Sequence, residues 1–220
     1  MIISHRHRFV YVKTRKTAST SLEIAISAHC GPDDVITKIT AKDEAVRQRL
    51  GVRGPQNEFI RGPDGRTFEL LNHAPATLAR EILGPAWDEY VTFTIERNPF
   101  DRVISQYFWE RSILPPPATL ASFLRRTPAE RLSNWHLYAD DAEPDRVIVD
   151  HVGRYESLAE SLATIAEAIG LPEGIVLPAE RTKSHLRTDR RHHRDVLSAE
   201  DRQLVETLCH RELAAFGYAW

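Results

Sequence analysis

Lysine, threonine and serine side chains crowd a short segment near the beginning of the sequence, between an apolar run and an apolar helix. The run Phe9–Lys13 predicts a buried strand. Thr20 and Glu23 have the spacing of a capping box, which predicts a helix from Thr20 to about Ala28. The loop and the first helical turn consist of Arg15, Lys16, Thr17, Ala18, Ser19, Thr20 and Ser21. Free backbone N–H groups and the helix dipole favour an anion at a helix start, so this unit predicts a phosphate-binding site.

A second strand–loop–helix unit lies in the middle of the sequence. The β-branched and aromatic run Tyr90–Glu96 predicts a central strand. Arg97 follows the strand, Asn98 is a suitable cap, and Pro99 suits the first position of a helix. The planar guanidinium of Arg97 can bind a phosphate through two parallel hydrogen bonds. Ser105, two helical turns after Asn98, can face the same pocket. The two units together predict a ligand with phosphates at two separated points.

Strands that alternate with helices favour an α/β fold with a central parallel sheet flanked by helices. Further helices are predicted for Thr40–Leu50, Ala76–Leu83 and Leu120–Arg126. A second capping box, formed by Ser157 and Glu160, predicts the start of another helix. A last helix is predicted from Ser198 toward His210, and Ala214–Trp220 is the predicted tail. Asp64 and Gly65 predict a hairpin turn, and Arg146–Val149 predicts a strand. No repeat or linker divides the sequence, so we expect one domain of residues 1–220.

The charge distribution favours a small anionic ligand over a large one. The formal net charge of −2 gives no general attraction to nucleic acid or to a membrane surface. Three cations nevertheless lie within Lys13–Lys16, and six lie within Arg181–Arg194 against one aspartate. Two basic clusters in a nearly neutral chain are typical of a protein that binds a small polyanion.

The apolar residues of the sequence are spread in short runs. No run of about 18 apolar residues and no signal-peptide pattern is present, so we expect a cytoplasmic protein without a membrane span. Cys30 and Cys209 are too few for a disulfide framework, and we expect two buried thiols. The oligomeric state stays open.

The two phosphate-binding segments resemble the signature motifs of one enzyme family. Lys16–Leu22, KTASTSL, resembles the 5'-phosphosulfate loop of the sulfotransferases that use 3'-phosphoadenosine 5'-phosphosulfate (PAPS). Arg97–Ser105, RNPFDRVIS, is similar to their 3'-phosphate motif, R-[ND]-P-x-[DE]-R-x-x-S. The resemblance implies a P-loop-like α/β fold with the donor at the carboxyl ends of the strands. It also implies that Asp101 and Arg102 brace the motif.

The same resemblance implies roles for individual residues. Lys16 would stabilise charge on the leaving group, while Arg97 and Ser105 would hold the 3'-phosphate. Sulfuryl transfer needs a base that takes the proton of the acceptor hydroxyl, and His73 is the candidate, as in relatives similar to the carbohydrate 2-O-sulfotransferases. Other relatives use a glutamate, so Glu69 is the alternative base.

Weaker resemblances extend to the second half of the sequence. The segment Arg154–Leu158 resembles a short R-x-E-x-L element whose role is structural. The basic loop Arg181–Arg194 is placed where relatives close over the nucleotide, and the expected contacts are Lys183, Ser184 and Arg187. Trp109, Trp135 and Tyr138 are more typical of core or rim aromatics than of a sugar-binding surface, and they are kept only as possible acceptor-site residues. Two histidine pairs, His5 with His7 and His192 with His193, lack a Cys or carboxylate at the usual spacing that would complete a set of metal ligands. The resemblance also implies that transfer from PAPS needs no metal, so no metal site is predicted.

The resulting interpretation is a PAPS-dependent sulfotransferase. It would move a sulfuryl group to a hydroxyl, with a carbohydrate or glycolipid as the expected acceptor and PAP (adenosine 3',5'-bisphosphate) as the product. Two alternatives stay open. A P-loop small-molecule kinase would need a glycine-rich loop and a Mg²⁺ ligand, neither of which is evident. A non-catalytic PAP-binding protein would require that Ser19 prevents turnover.

Overall fold

The structure is a computed structural model that describes residues 1–112, 119–179 and 187–220. Its strands are β1 (Ile2–Ser4), β2 (Phe9–Tyr11), β3 (Val35–Ile36), β4 (Phe59–Arg61), β5 (Thr67–Glu69), β6 (Val91–Glu96) and β7 (His151–Arg154). Its α-helices are α1 (Ser19–Ser27), α2 (Ala41–Arg49), α3 (Ala76–Leu83), α4 (Pro99–Arg111), α5 (Leu120–Arg126), α6 (Ala129–Leu132), α7 (Leu158–Ala168), α8 (Ala199–Leu208) and α9 (His210–Phe216). Short 3₁₀ helices cover Gly84–Glu89, Trp135–Leu137 and His193–Asp195.

The main sheet has the strand order β3-β1-β2-β6-β7. β2 pairs in parallel with β6, and β6 pairs in parallel with β7, whereas β1 is antiparallel to both of its neighbours. The predicted α/β fold with a mostly parallel central sheet is therefore confirmed, and the antiparallel β1 is an addition to it. The hairpin of β4 and β5 turns at Asp64 and Gly65 as predicted.

Alternation along β2 puts apolar side chains on both faces of the sheet. Phe9 and Tyr11 pack with residues of α1 and α7 on one face. Val10 and Val12 pack with residues of α3 and with Trp135–Ala139 on the other face. Because both faces are covered, β2 is buried along its whole length, and the loop that follows it is fixed by a rigid strand.

Two predicted helix caps are wrong. α1 begins at Ser19, its N-cap residue Ala18 makes no side-chain bond, and Glu23 is fully buried against Lys13. A side chain held in a buried ion pair cannot turn back to cap its own helix. Ser157 likewise makes no cap bond to α7, while the predicted cap at Ser198 is present as a capping box with Asp201.

The late strand and the end of the chain also differ from the predictions. Val147 only forms an isolated bridge with Ala139, and the paired strand is β7. Gly153 lies in β7 because a side chain there would collide with Ile95 and Ser161. α9 occupies the first part of the predicted tail.

The two cysteines are buried and unpaired, as expected. Among the described residues, no helix is long and apolar enough to cross a membrane.

Candidate active site

The loop of residues 14–18 connects β2 to α1 and has an unusual backbone for a segment without glycine. Lys16 and Ala18 have φ angles of 62° and 59°. Left-handed residues between right-handed ones turn successive N–H groups toward one side, which makes a concave anion-binding surface. The start of α1, where the helix dipole is positive, extends that surface. Ser19 is the first residue of α1 and its φ is not positive, so no glycine is needed there.

Side chains from other parts of the fold hold this loop. The Thr14 hydroxyl donates to the Ile95 carbonyl on the adjacent strand β6 and bonds the Thr17 hydroxyl at 2.8 Å. The Asn134 amide bonds both backbone groups of Arg15: the Arg15 N–H donates to Oδ1 at 2.9 Å, and Nδ2 donates to the Arg15 carbonyl at 3.1 Å. The loop is therefore fixed at two consecutive residues before its left-handed turn.

Arg97 brings the two predicted phosphate-binding segments together. It follows β6, next to β2, and its Nη1 donates to the Lys16 carbonyl at 3.2 Å across 81 residues of sequence. Its Nε donates to Asp101 at 2.9 Å, and its guanidinium lies 4.2 Å from the centre of the Tyr155 ring. The guanidinium is thus oriented by an aromatic face, a carboxylate and a carbonyl, at the edge where both parallel strands end.

Asp101 also bonds the basic loop. Arg187 donates from Nη1 to the second carboxylate oxygen of Asp101, so one carboxylate connects Arg97 with Arg187, two arginines that are expected to contact the nucleotide. The predicted bracing role of Asp101 agrees with these contacts. Glu156 adds a further brace, because it accepts from the backbone N–H of Asn98 at 2.8 Å.

The other predicted binding residues fall into three groups. Thr17, Ser19 and Thr20 are buried in the loop and in the first turn of α1, and Ser21 is half-buried. Ser105 is half-buried on α4, two turns after Asn98. Lys183 and Ser184 lie outside the described residues.

His73 is held against the strand that leads into the loop. Its φ is 63°, and its Nδ1 lies 2.8 Å from the Lys13 carbonyl. A carbonyl oxygen can only accept, so Nδ1 carries the hydrogen and Nε2 keeps its lone pair. Glu69, the alternative base, is exposed on β5 and pairs with Phe59. The geometry therefore favours His73 as the base near the loop.

The protonation of His73 gives a pH prediction. Burial and the nearby Lys13 ammonium lower the pKa of His73 to about 3. The unfolded chain, with a pKa of about 6.5, then binds the extra proton, so stability is lost as the pH falls below that value. Between pH 6 and pH 5 we expect the free energy of unfolding of the wild type to fall by about 1 kcal/mol more than that of His73→Asn. Urea unfolding at both pH values measures this difference. An equal change in the free energy of unfolding for the wild type and for His73→Asn would contradict a neutral His73.

The three aromatic residues proposed for the acceptor site have different positions. Trp135 is 6% exposed and Tyr138 is 0% exposed, and both pack in the core. The Tyr138 hydroxyl donates to Glu96 at 2.9 Å, so it is committed to an internal bond. Both are therefore core aromatics, the more frequent case, and they are no longer candidates for the acceptor site. Trp109 is half-buried, with its ring centre 5.5 Å from the Lys16 ammonium, and it stays a candidate.

A buried polar network lies behind the two binding segments, and sequence reasoning missed most of it. Arg102 donates to Glu212 at 3.2 Å and lies 3.6 Å from Glu96. Glu96 accepts from the Arg97 N–H at 2.8 Å and from Asn134 Nδ2 at 3.3 Å. Burial raises the pKa of the Glu96 carboxyl. The available signal was a glutamate at the end of an otherwise apolar strand, which requires a buried partner.

The chain is similar to several known proteins. A family model described as "Sulfotransferase family" matches residues 1–219. An uncharacterized protein of Archaeoglobus fulgidus is 34% identical over 101 residues, which are 45% of this chain and 84% of that protein. The crystal structure of mouse sulfotransferase SULT7A1 complexed with PAP aligns with a TM-score of 0.48 and 14% identity, over 94% of this chain and 84% of that chain. Within the described residues, no group of three or more His, Cys, Asp or Glu could hold a metal ion.

Proposed function

This chain belongs to the sulfotransferase family, and we propose that it transfers a sulfuryl group from PAPS to a hydroxyl of a carbohydrate or glycolipid acceptor. The observation that carries the proposal is the contact between Arg97 and the Lys16 carbonyl. It joins a loop suited to a 5'-phosphosulfate to an arginine suited to a 3'-phosphate. The two phosphates of one nucleotide would then span the carboxyl ends of the neighbouring strands β2 and β6.

The proposed donor site uses residues from three segments. The backbone and hydroxyls of the first loop and of the start of α1 would hold the 5'-phosphate; these residues are Arg15, Lys16, Thr17, Ala18, Ser19, Thr20 and Ser21. Arg97 and Ser105 would bind the 3'-phosphate, and Lys183, Ser184 and Arg187 of the basic loop would contact the nucleotide. The charges suit the ligand, because arginines are the usual partners of phosphate in proteins.

The proposed transfer is a single in-line displacement at sulfur. The acceptor hydroxyl gives its proton to Nε2 of His73, and its oxygen forms a bond to sulfur. Burial and the cations Lys13 and Arg15 lower the pKa of His73 in the site without donor, and the negative charge of bound PAPS would raise that pKa toward the range that suits a base. The bond between sulfur and the bridging oxygen breaks, and its electron pair stays on the 5'-phosphate. The Lys16 ammonium stabilises the charge that develops on that oxygen. The carbohydrate class of acceptor rests on the sequence resemblance, which implies that His73 corresponds to the histidine base of carbohydrate 2-O-sulfotransferases.

Calorimetry with PAP tests the donor site. We expect Arg97→Ala to weaken PAP binding about 100-fold, since two charge-assisted hydrogen bonds are each worth at least ~1.5 kcal/mol. The matched control is Arg146→Ala, which removes an equal charge from an exposed ion pair with Glu143 and should leave PAP binding unchanged. Adenosine 5'-phosphosulfate, which lacks the 3'-phosphate, should bind weakly, and Arg97→Ala should weaken its binding less than that of PAP, because only the bond from Arg97 to the Lys16 carbonyl is then lost.

Three results would count against the proposal. A wild type that does not bind PAP would show that the two segments are not one nucleotide site. A wild type that binds ATP with Mg²⁺ in preference to PAP would favour a kinase. Tight PAP binding without transfer to any member of a broad panel of carbohydrate acceptors would favour a non-catalytic binding protein.

A further inference from the structure

We infer that Asn134 is a positioning residue that sets the backbone of the loop 14–18 through its bonds to Arg15 and thereby prepares the 5'-phosphosulfate site. This inference rests on the proposed function. Asn134 lies between α6 and the 3₁₀ helix Trp135–Leu137, and 119 residues of sequence separate it from Arg15.

The amide of Asn134 is fully buried, and its hydrogen-bond partners fix its orientation. The Arg15 N–H can only donate, so Oδ1 must face it at 2.9 Å. Nδ2 then faces two acceptors, the Arg15 carbonyl at 3.1 Å and Glu96 Oε1 at 3.3 Å. Asn134 is 0% exposed, so water does not replace these bonds when one of them is lost. The side-chain amide of Asn134 therefore bonds both the N–H and the carbonyl of Arg15, as the backbone of a neighbouring strand would.

The position of this pairing gives it a mechanical consequence. Arg15 immediately precedes Lys16, whose φ of 62° is unfavourable for any residue other than glycine. A non-glycine residue keeps such a backbone only where the surrounding structure over-determines it. Asn134 fixes both polar groups of the residue before the turn, and Arg97 bonds the carbonyl of the turn residue itself. These two side chains enclose the peptide that carries Lys16.

Asn134 is in turn held from its own backbone. Its N–H donates to Glu212 Oε1 at 3.1 Å, and the neighbouring Ser133 hydroxyl donates to the same oxygen at 2.6 Å. Arg102 bonds Glu212 and lies beside Glu96, so both carboxylates near Asn134 share one guanidinium. The amide is thus presented to the loop by a rigid ionic network rather than by a surface loop.

An aspartate cannot take over this role. Asn134→Asp keeps the size of the side chain and the acceptor for the Arg15 N–H. Its second oxygen, however, would face the Arg15 carbonyl and the Glu96 carboxylate, two groups that only accept. The loop should then lose its second bond and be pushed away from the network.

A comparison of two ligands separates positioning from general stability. PAP carries the 5'-phosphate, whereas adenosine 3'-phosphate lacks it and depends only on the Arg97 side of the site. We expect Asn134→Asp to weaken PAP binding about 10-fold to 100-fold, as removal of an outer-shell residue does in metal sites. Binding of adenosine 3'-phosphate should change less than about twofold. Calorimetry measures both, and Asn134→Ala, which adds no buried charge, serves if the aspartate variant does not fold.

The outcomes distinguish this inference from the proposed function. Loss confined to PAP supports the positioning role. Equal losses for both ligands would mean that Asn134 only stabilises the fold, and unchanged PAP binding would mean that the loop does not depend on it; either result overturns the inference while leaving the nucleotide site intact. A wild type that binds neither ligand overturns the proposed function and this role with it.

Discussion

Replacing His73 by asparagine is expected to lower kcat about 10³-fold while the affinity for PAP stays within about twofold, because a positioned base contributes 10²–10⁴-fold to a reaction that removes a proton. Asparagine is a conservative choice at this position. It tolerates the left-handed backbone, φ 63°, and its amide can donate to the Lys13 carbonyl as Nδ1 does. Transfer from radiolabelled PAPS to the first acceptor found on a carbohydrate panel gives kcat, and calorimetry gives the PAP affinity.

The control for this variant is Glu69→Gln. Glu69 is exposed on β5, and its loss should change kcat less than about threefold. A large loss in Glu69→Gln together with an active His73→Asn would assign the base to the glutamate. If His73→Asn retains activity and His73→Ala does not, the reaction needs the hydrogen bond to the Lys13 carbonyl and not proton transfer by His73.

The helices were predicted best where local signals act alone. α3 and α5 have their predicted limits, because Pro75 and Gly84 bound the first and Thr119 caps the second. The cap at Thr20 failed although its spacing was right, since the burial of Glu23 is decided by tertiary structure. Sequence spacing shows which bonds a side chain can make, whereas packing decides which of them it does make.

The site divides in the same way. The two loops could be predicted to meet, because parallel strands end at one edge of the sheet, and the family match confirms the resemblance that their motifs carry. Asn134 could not be predicted, since no local pattern links it to Arg15 across 119 residues. The three aromatic residues show a similar limit: side-chain type favours the core in general but does not reveal that Trp135 and Tyr138 lie there while Trp109 is half-buried. Supporting residues of this kind become visible only in three dimensions.

Replacing Lys16 by methionine is expected to lower kcat by about 10²–10³-fold, the usual effect of removing one group that stabilises developing charge. Methionine keeps the length of the side chain without its ammonium. The affinity for PAPS without acceptor should fall less, by about 10-fold, because the bridging oxygen carries less charge in the intact donor than in the transition state. Single-turnover transfer and equilibrium binding of PAPS measure the two effects separately.

Lys16→Gly provides the matched comparison, since Lys16 has a φ of 62° and glycine adopts that backbone without strain. Both variants lack the ammonium, but only methionine retains the backbone cost. Equal losses of kcat would therefore assign the effect to the charge, while a glycine variant with near wild-type kcat would show that the ammonium is not needed and that methionine lowers kcat by disturbing the loop. The Lys16 ammonium lies beside Trp109, the remaining candidate at the acceptor side, so the charge would act where donor and acceptor meet.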